Sequence, residues 1–235
     1  MKQLTKLFVV AAVGFALSVQ AVPTLRLSAD GGATWTTIVD QVNDGLGGVP
    51  DDGNPLAGVV VYVGGVNANW AVTVTTGLTM PFQGTPARPY MDLNSITATS
   101  VGAGSLIIQF SEVGFGPVAS GNVQANIGGV VLGSVGSSLT YNTFAGAALW
   151  DQTTALTSQG PFSPGAFSGI ANGPAYSSLG ATFSLTQEIL LTHTTPGSSS
   201  FNAELTVPEG GTTLMLLGSA LTVLGVFRRK FATKA

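Results

Sequence analysis

Between Val22 and Val207, apolar residues recur at every second position rather than every third or fourth. Trp70, Val72 and Val74 share one parity while Ala71, Thr73 and Thr75 hold the other; Leu106, Ile108 and Phe110 alternate with Ile107, Gln109 and Ser111; Phe183 and Leu185 alternate with Ser184 and Thr186. A period of two puts alternate side chains on opposite faces, so these segments predict half-buried β-strands. Further strands are predicted at Thr24–Ser28, Thr34–Val39, Val59–Val63, Ser95–Thr99, Val123–Ile127, Ser138–Tyr141 and Phe201–Thr206. No window of helical amphipathicity matches them in strength. About ten short strands separated by Gly, Asn, Asp and Pro predict an all-β fold, an antiparallel β-sandwich of jelly-roll or Ig-like type, over residues 22–206. The segment from Gly160 to Gly165 and on through Pro174 reads as a long loop, and Pro196–Ser200 as a turn. No 20–50-residue repeat is evident, which disfavours a propeller or solenoid.

The two ends break this pattern. Lys2 and Lys6 precede the apolar run Leu7–Leu17, and Val19-Gln20-Ala21 follows with the side chains a signal peptidase accepts, so residues 1–21 predict a signal peptide cut between Ala21 and Val22. Residues 207–235 predict a tail of three parts: a motif Val207-Pro208-Glu209-Gly210-Gly211, an apolar helix over about 212–227, and the basic cluster Arg228-Arg229-Lys230. The uncharged run Leu214–Phe227 reaches ~21 Å at ~1.5 Å per residue, and a start at Gly210 lengthens it to ~27 Å, just short of a ~30 Å hydrocarbon core. Snorkelling of Arg228 and Arg229 covers the difference, and their charge keeps that end in the cytoplasm. Pro208 lacks a backbone donor and Gly210-Gly211 disfavour helix, which leaves the motif extended just outside the bilayer.

This order of motif, short transmembrane helix and Arg cluster resembles the C-terminal sorting domain of exosortase substrates, the PEP-CTERM class. With Gly210 where the usual Val-Pro-Glu-Pro core has its second Pro, it lies closer to the VPDSG-CTERM variant, Glu209 standing for Asp and Gly210 for Ser before Gly211. The resemblance covers about 24 residues. It implies Sec-type export across the inner membrane of a Gram-negative bacterium, transient anchoring there, cleavage by an exosortase-like membrane protease near Pro208, and release to the cell surface, the extracellular matrix or its exopolysaccharide.

Composition sharpens the picture. Only 8% of the 235 residues are charged, and six of the eight basic ones lie in the first six or last eight positions. Residues 22–207 are left with ten carboxylates against Arg26 and Arg88, a balance of −8, which excludes nucleic acid as a partner because phosphate binding needs a basic footprint. The absence of Cys removes disulfides, thiolate metal sites and cysteine nucleophiles. Thr, Ser, Asn and Gln take the solvent-facing strand positions where other proteins carry Lys and Glu.

Candidate chemistry is sparse. Ser28-Ala29-Asp30-Gly31-Gly32-Ala33-Thr34-Trp35 resembles the Asp box of sialidase-like propellers, but one copy predicts only a β-hairpin in which Asp30 caps its own turn. Asp40, Asp44, Asp51 and Asp52, with Asn43 and Asn54, form an oxygen-rich loop of the kind Ca²⁺ accepts; the spacing fits no EF-hand, Asp and Asn are also ordinary turn formers, and no cofactor is assigned. His193, the single histidine, falls at the frayed end of its strand without a Gly-x-Ser-x-Gly elbow. Glu112 and Glu188 are the two carboxylates a glycosidase pair would need, but Glu188 has the parity of a solvated residue. Trp150, followed by Asp151 in the loop-prone Ala145–Gln159 stretch, is the tryptophan placed to stack on a sugar. The expectation is a non-enzymatic structural or adhesive component of the envelope or exopolysaccharide, with a carbohydrate-binding module second and a secreted hydrolase third.

Overall fold

A computed structural model describes residues 22–42, 51–118, 121–178, 181–207 and Leu221. The predicted signal peptide with Ala21, the loop residues Asn43 and Asp44, the motif residues Pro208, Glu209, Gly210 and Gly211, the predicted helix apart from Leu221, and Arg228, Arg229 and Lys230 lie outside the described residues. Among the described residues no helix is long and apolar enough to cross a membrane.

Twelve strands form two antiparallel sheets among the described residues: β1 (Thr24–Ser28), β2 (Thr36–Val39), β3 (Val59–Gly65), β4 (Trp70–Leu78), β5 (Tyr90–Ser100), β6 (Gly104–Phe115), β7 (Gly121–Val131), β8 (Ser138–Gly146), β9 (Thr154–Phe162), β10 (Gly165–Tyr176), β11 (Phe183–His193) and β12 (Gly197–Thr206). The first sheet runs β2-β1-β6-β11-β8-β9 and the second β10-β7-β12-β5-β4-β3. From β5 to β8 and from β10 to β12 each successive strand changes sheet, so the two sheets are tied into one sandwich.

The period of two explains the packing. In β8, Leu139, Tyr141, Thr143 and Ala145 are buried while their neighbours are not, and β12 repeats this with Ser199, Phe201, Ala203 and Leu205. Leu25, Leu27, Ile108, Phe110, Leu185 and Ile189 of the first sheet join Val72, Val74, Met91, Leu93, Ile96 and Phe201 of the second in one apolar core. At roughly 1.5–3 kcal/mol for each large side chain removed from water, this layer is the main support of the fold.

Two segments depart from expectation. The Gly- and Pro-rich stretch expected to be loop holds the end of β9 and most of β10, and the rest of β9 falls in the loop-prone Ala145–Gln159 stretch; the two strands lie one at the edge of each sheet. Proline is tolerated at an edge or a bulge because its missing N–H leaves no ladder partner empty. Accordingly, the β8–β9 register slips between Leu139 and Tyr141, opposite Gly160-Pro161, and the β10–β7 register slips between Asn172 and Ala175, across Pro174. The turn expected at Pro196–Ser200 is confined to 194–196; Gly197–Ser200 open β12, and Ser199 is buried.

Candidate functional site

The Asp-box segment folds as the hairpin its sequence predicts. Ser28 Oγ donates to Asp30 Oδ1 (2.7 Å) and accepts from Gly32 N–H (2.8 Å), Thr34 N–H donates to Asp30 Oδ1 (2.9 Å), and Gly31 and Gly32 take positive φ at the turn. The Thr34 hydroxyl and then its N–H hold the exposed Asp30 carboxyl down at about 2. The hairpin carries Trp35 to the outer face of the first sheet, where the Arg26 guanidinium lies 4.0 Å from the Trp35 ring and 4.2 Å from the Trp150 ring. Trp150 therefore spends one aromatic face on Arg26, and its backbone N–H donates to Ser111 Oγ (3.3 Å). Arg26 Nε donates to Gln109 Oε1 (2.6 Å), whose amide donates to Glu188 Oε2 (2.5 Å); Gln152 (2.8 Å) and Asn142 (3.3 Å) complete the Glu188 shell. Glu188, expected to be solvated, is thus half-buried in an amide network that sequence parity alone could not reveal.

Glu112 lies on the other face of the same sheet, buried with 0% exposure opposite Leu185. It accepts a hydrogen bond from the Thr79 hydroxyl through Oε2, and its Oε1 has no partner. Burial, with a smaller push from Asp40, raises its pKa to about 8. With one carboxylate inside and the other outside, Glu112 and Glu188 do not form a glycosidase pair. Of the calcium candidates, Asp51 is exposed and Asp40 and Asp52 are buried. Asp52 Oδ1 accepts from Val61 N–H (2.8 Å) and Asn54 N–H (3.2 Å), and its Oδ2 from Gln41 N–H (3.1 Å). Asp40 Oδ2 accepts from Gly58 N–H (2.8 Å), at a positive-φ glycine where a Cβ would meet Met80 O at 2.5 Å. These carboxylates tie loop backbone together. Among the described residues no group of three or more His, Asp or Glu is arranged to hold a metal ion.

His193 is not frayed. It is 1% exposed, with Nδ1 2.8 Å from Ser100 Oγ on β5 and Nε2 2.8 Å from Ser199 Oγ on β12, and its ring lies 4.9 Å from that of Trp70. It joins the end of the first sheet to two strands of the second. Burial lowers its pKa below 6.5.

The feature that no sequence window revealed is a groove of about 550 Å³ on the outer face of the second sheet. Its floor is built by register. One row runs Ile170, Asn126, Glu204, Asp92 across β10, β7, β12 and β5; the next runs Ser168, Gly128, Asn202, with Asn94 beside it. A bulge in β5 against β12 puts Ser95 at positive φ, where its N–H donates to Asn202 Oδ1 (2.6 Å) and fixes that side chain. Burial first, and the facing Glu204 carboxylate second, raise Asp92 to about 6. Burial first, then the Asp92 and Glu204 carboxylates, push Tyr90 in the adjoining row up to about 12. Asn126 Nδ2 lies 3.4 Å from Glu204 Oε1, and Asn126 Oδ1 is buried without a partner.

Comparison with known proteins places a second functional element at the end of this body. Residues 206–231 match the VPDSG-CTERM motif, a PEP-CTERM-like exosortase sorting signal. No curated protein matches the chain. Solved structures with similarity include TmCBM61 in complex with β-1,4-galactotriose (TM-score 0.30, 6% identity, 60% of this chain and 90% of that chain). The PA14 sugar-binding domain of an RTX adhesin follows (0.24, 10%, 43% and 45%), as does the K1 cleaved adhesin domain of Lys-gingipain from Porphyromonas gingivalis W83 (0.26, 10%, 65% and 99%).

Proposed function

We propose that this chain is an exported, exosortase-sorted surface or matrix protein whose β-sandwich acts by binding, as a structural or adhesive component, rather than by catalysis. The observation that carries the reading is the VPDSG-CTERM match at residues 206–231, which begins where β12 ends. Val207, the first motif residue, is 1% exposed, and its N–H donates to Pro89 O at 3.1 Å. The folded body therefore reaches the motif without a linker, and a retained tail would hold the sandwich against the membrane until processing. In support of a binding role, the two glutamates are on opposite faces and the histidine is enclosed between two serines.

The test is fractionation of the native host. The parent should be released, while a Pro208→Ala, Glu209→Ala variant should stay full-length in the membrane, because its apolar segment is untouched and the protease has lost its sequence. Removal of residues 208–235 should release the sandwich without processing. Trimming and release of the double variant like the parent overturns the sorting reading.

A further inference from the structure

We infer that the groove across β10, β7, β12 and β5 is a binding site for a neutral saccharide chain. The inference deepens the adhesive reading above and rests on it only for where the ligand is met.

The groove has the chemistry of a hydroxyl receptor. Asp92 and Glu204 are strong acceptors side by side, Asn94, Asn126 and Asn202 both donate and accept, and Ile170, 72% exposed, supplies an apolar contact for the C–H face of a sugar ring. Vicinal hydroxyls need such a mixture, since each both donates and accepts. Four strands at ~4.8 Å spacing give the rows a span of ~14 Å, the shape of a chain rather than a single small solute.

The site is also kept at the expense of stability. Like charges directly across two strands are destabilising, and Asp92 and Glu204 are register partners. A buried acceptor without a donor is destabilising too, and Asn126 Oδ1 is one. Hydroxyl donors from a ligand relieve the repulsion between the two carboxylates. The balance of −8 over residues 22–207 excludes a polyanion, so the saccharide is neutral rather than uronate-rich or sulfated.

Gly128 keeps the centre of the groove open. A Cβ there would meet nothing closer than Phe167 O at 3.6 Å, an ordinary van der Waals contact, so the backbone tolerates a side chain at this position.

The experiment titrates neutral oligosaccharides (gluco-, galacto- and manno-series, and a neutral fraction of the host's own exopolysaccharide), oligouronates and CaCl₂ against the full chain, purified from whichever fraction holds it. Binding is thereby read independently of sorting. A neutral glycan should bind, and Gly128→Leu, Asp92→Asn and Glu204→Gln should each weaken it about tenfold or more. Asp92→Asn should melt no lower than the parent, which separates loss of binding from loss of fold. Binding that survives Gly128→Leu, preference for uronates, or no binding by any neutral probe overturns the inference. So does a Ca²⁺-dependent rise in melting temperature that Asp92→Asn abolishes without any glycan binding, which would make the groove a metal site.

Discussion

Replacing Glu112 with Gln should make the protein more stable, increasingly so as pH rises. In the folded state this carboxyl is buried beside Asp40, with the Thr79 hydroxyl as its side-chain donor, and its pKa stands at about 8 against an ordinary 4.5. An acid whose pKa is raised by folding holds a proton that the unfolded chain releases. Its stabilising effect is therefore complete below pH 4.5 and is lost as pH climbs toward 8, at about 1.4 kcal/mol per pH unit. Over that window the loss is of order 5 kcal/mol, a large share of the ~5–15 kcal/mol of an ordinary domain. Gln keeps the shape and the acceptor facing Thr79 but never ionises. Asp40, also raised by burial, acts nearly alike in both proteins and largely cancels from the difference. Urea unfolding of parent and Glu112→Gln at pH 4.5, 6, 7.5 and 9 should give curves that nearly coincide at the acid end and diverge steadily upward. Parallel stability–pH curves would refute the reasoning, since they would mean that Glu112 is ionised in the folded protein at no special cost.

His193→Ala removes both serine contacts and the ring beside Trp70, leaving the buried Ser100 hydroxyl unpaired and Ser199 with only the Leu132 N–H, and should cost about 3 kcal/mol in denaturant unfolding. Because burial lowers the His193 pKa, its contribution is present above pH 6.5 and lost as pH falls below it; the variant should lack that acid limb. Trp150→Ala should lower stability by about 1 kcal/mol through the lost stack on Arg26, yet leave glycan affinity unchanged within twofold, since the groove is on the opposite sheet.

What could be read from the sequence was what is local. The Asp-box hairpin closes on its own eight residues, and the period of two in β8 and β12 reports burial directly. The failures share one cause, which is that the deciding contact lies far along the chain. β9 and β10 carry prolines that would break a central strand, and only their edge positions and register slips, set by β8 and β7, make them strands. Trp150 looked free because Arg26 is remote in sequence, and His193 looked frayed because Ser100 and Ser199 belong to the other sheet. The groove needed the register of four strands to bring Asp92, Asn126, Ile170 and Glu204 into one row, and none of these residues is remarkable in its own window. In the tail, by contrast, motif, apolar run and basic cluster are contiguous, and the family match coincides with the segment the sequence singled out.

Under the proposed function the C-terminal segment is a processing signal attached directly to a folded sandwich. Intact-mass analysis of the protein released by the native host tests it most directly. The released chain should begin at Val22 and end within or just before Val207–Gly211, with or without an added group, the sandwich through β12 being complete. Released protein that still carries residues 212–235 would contradict it.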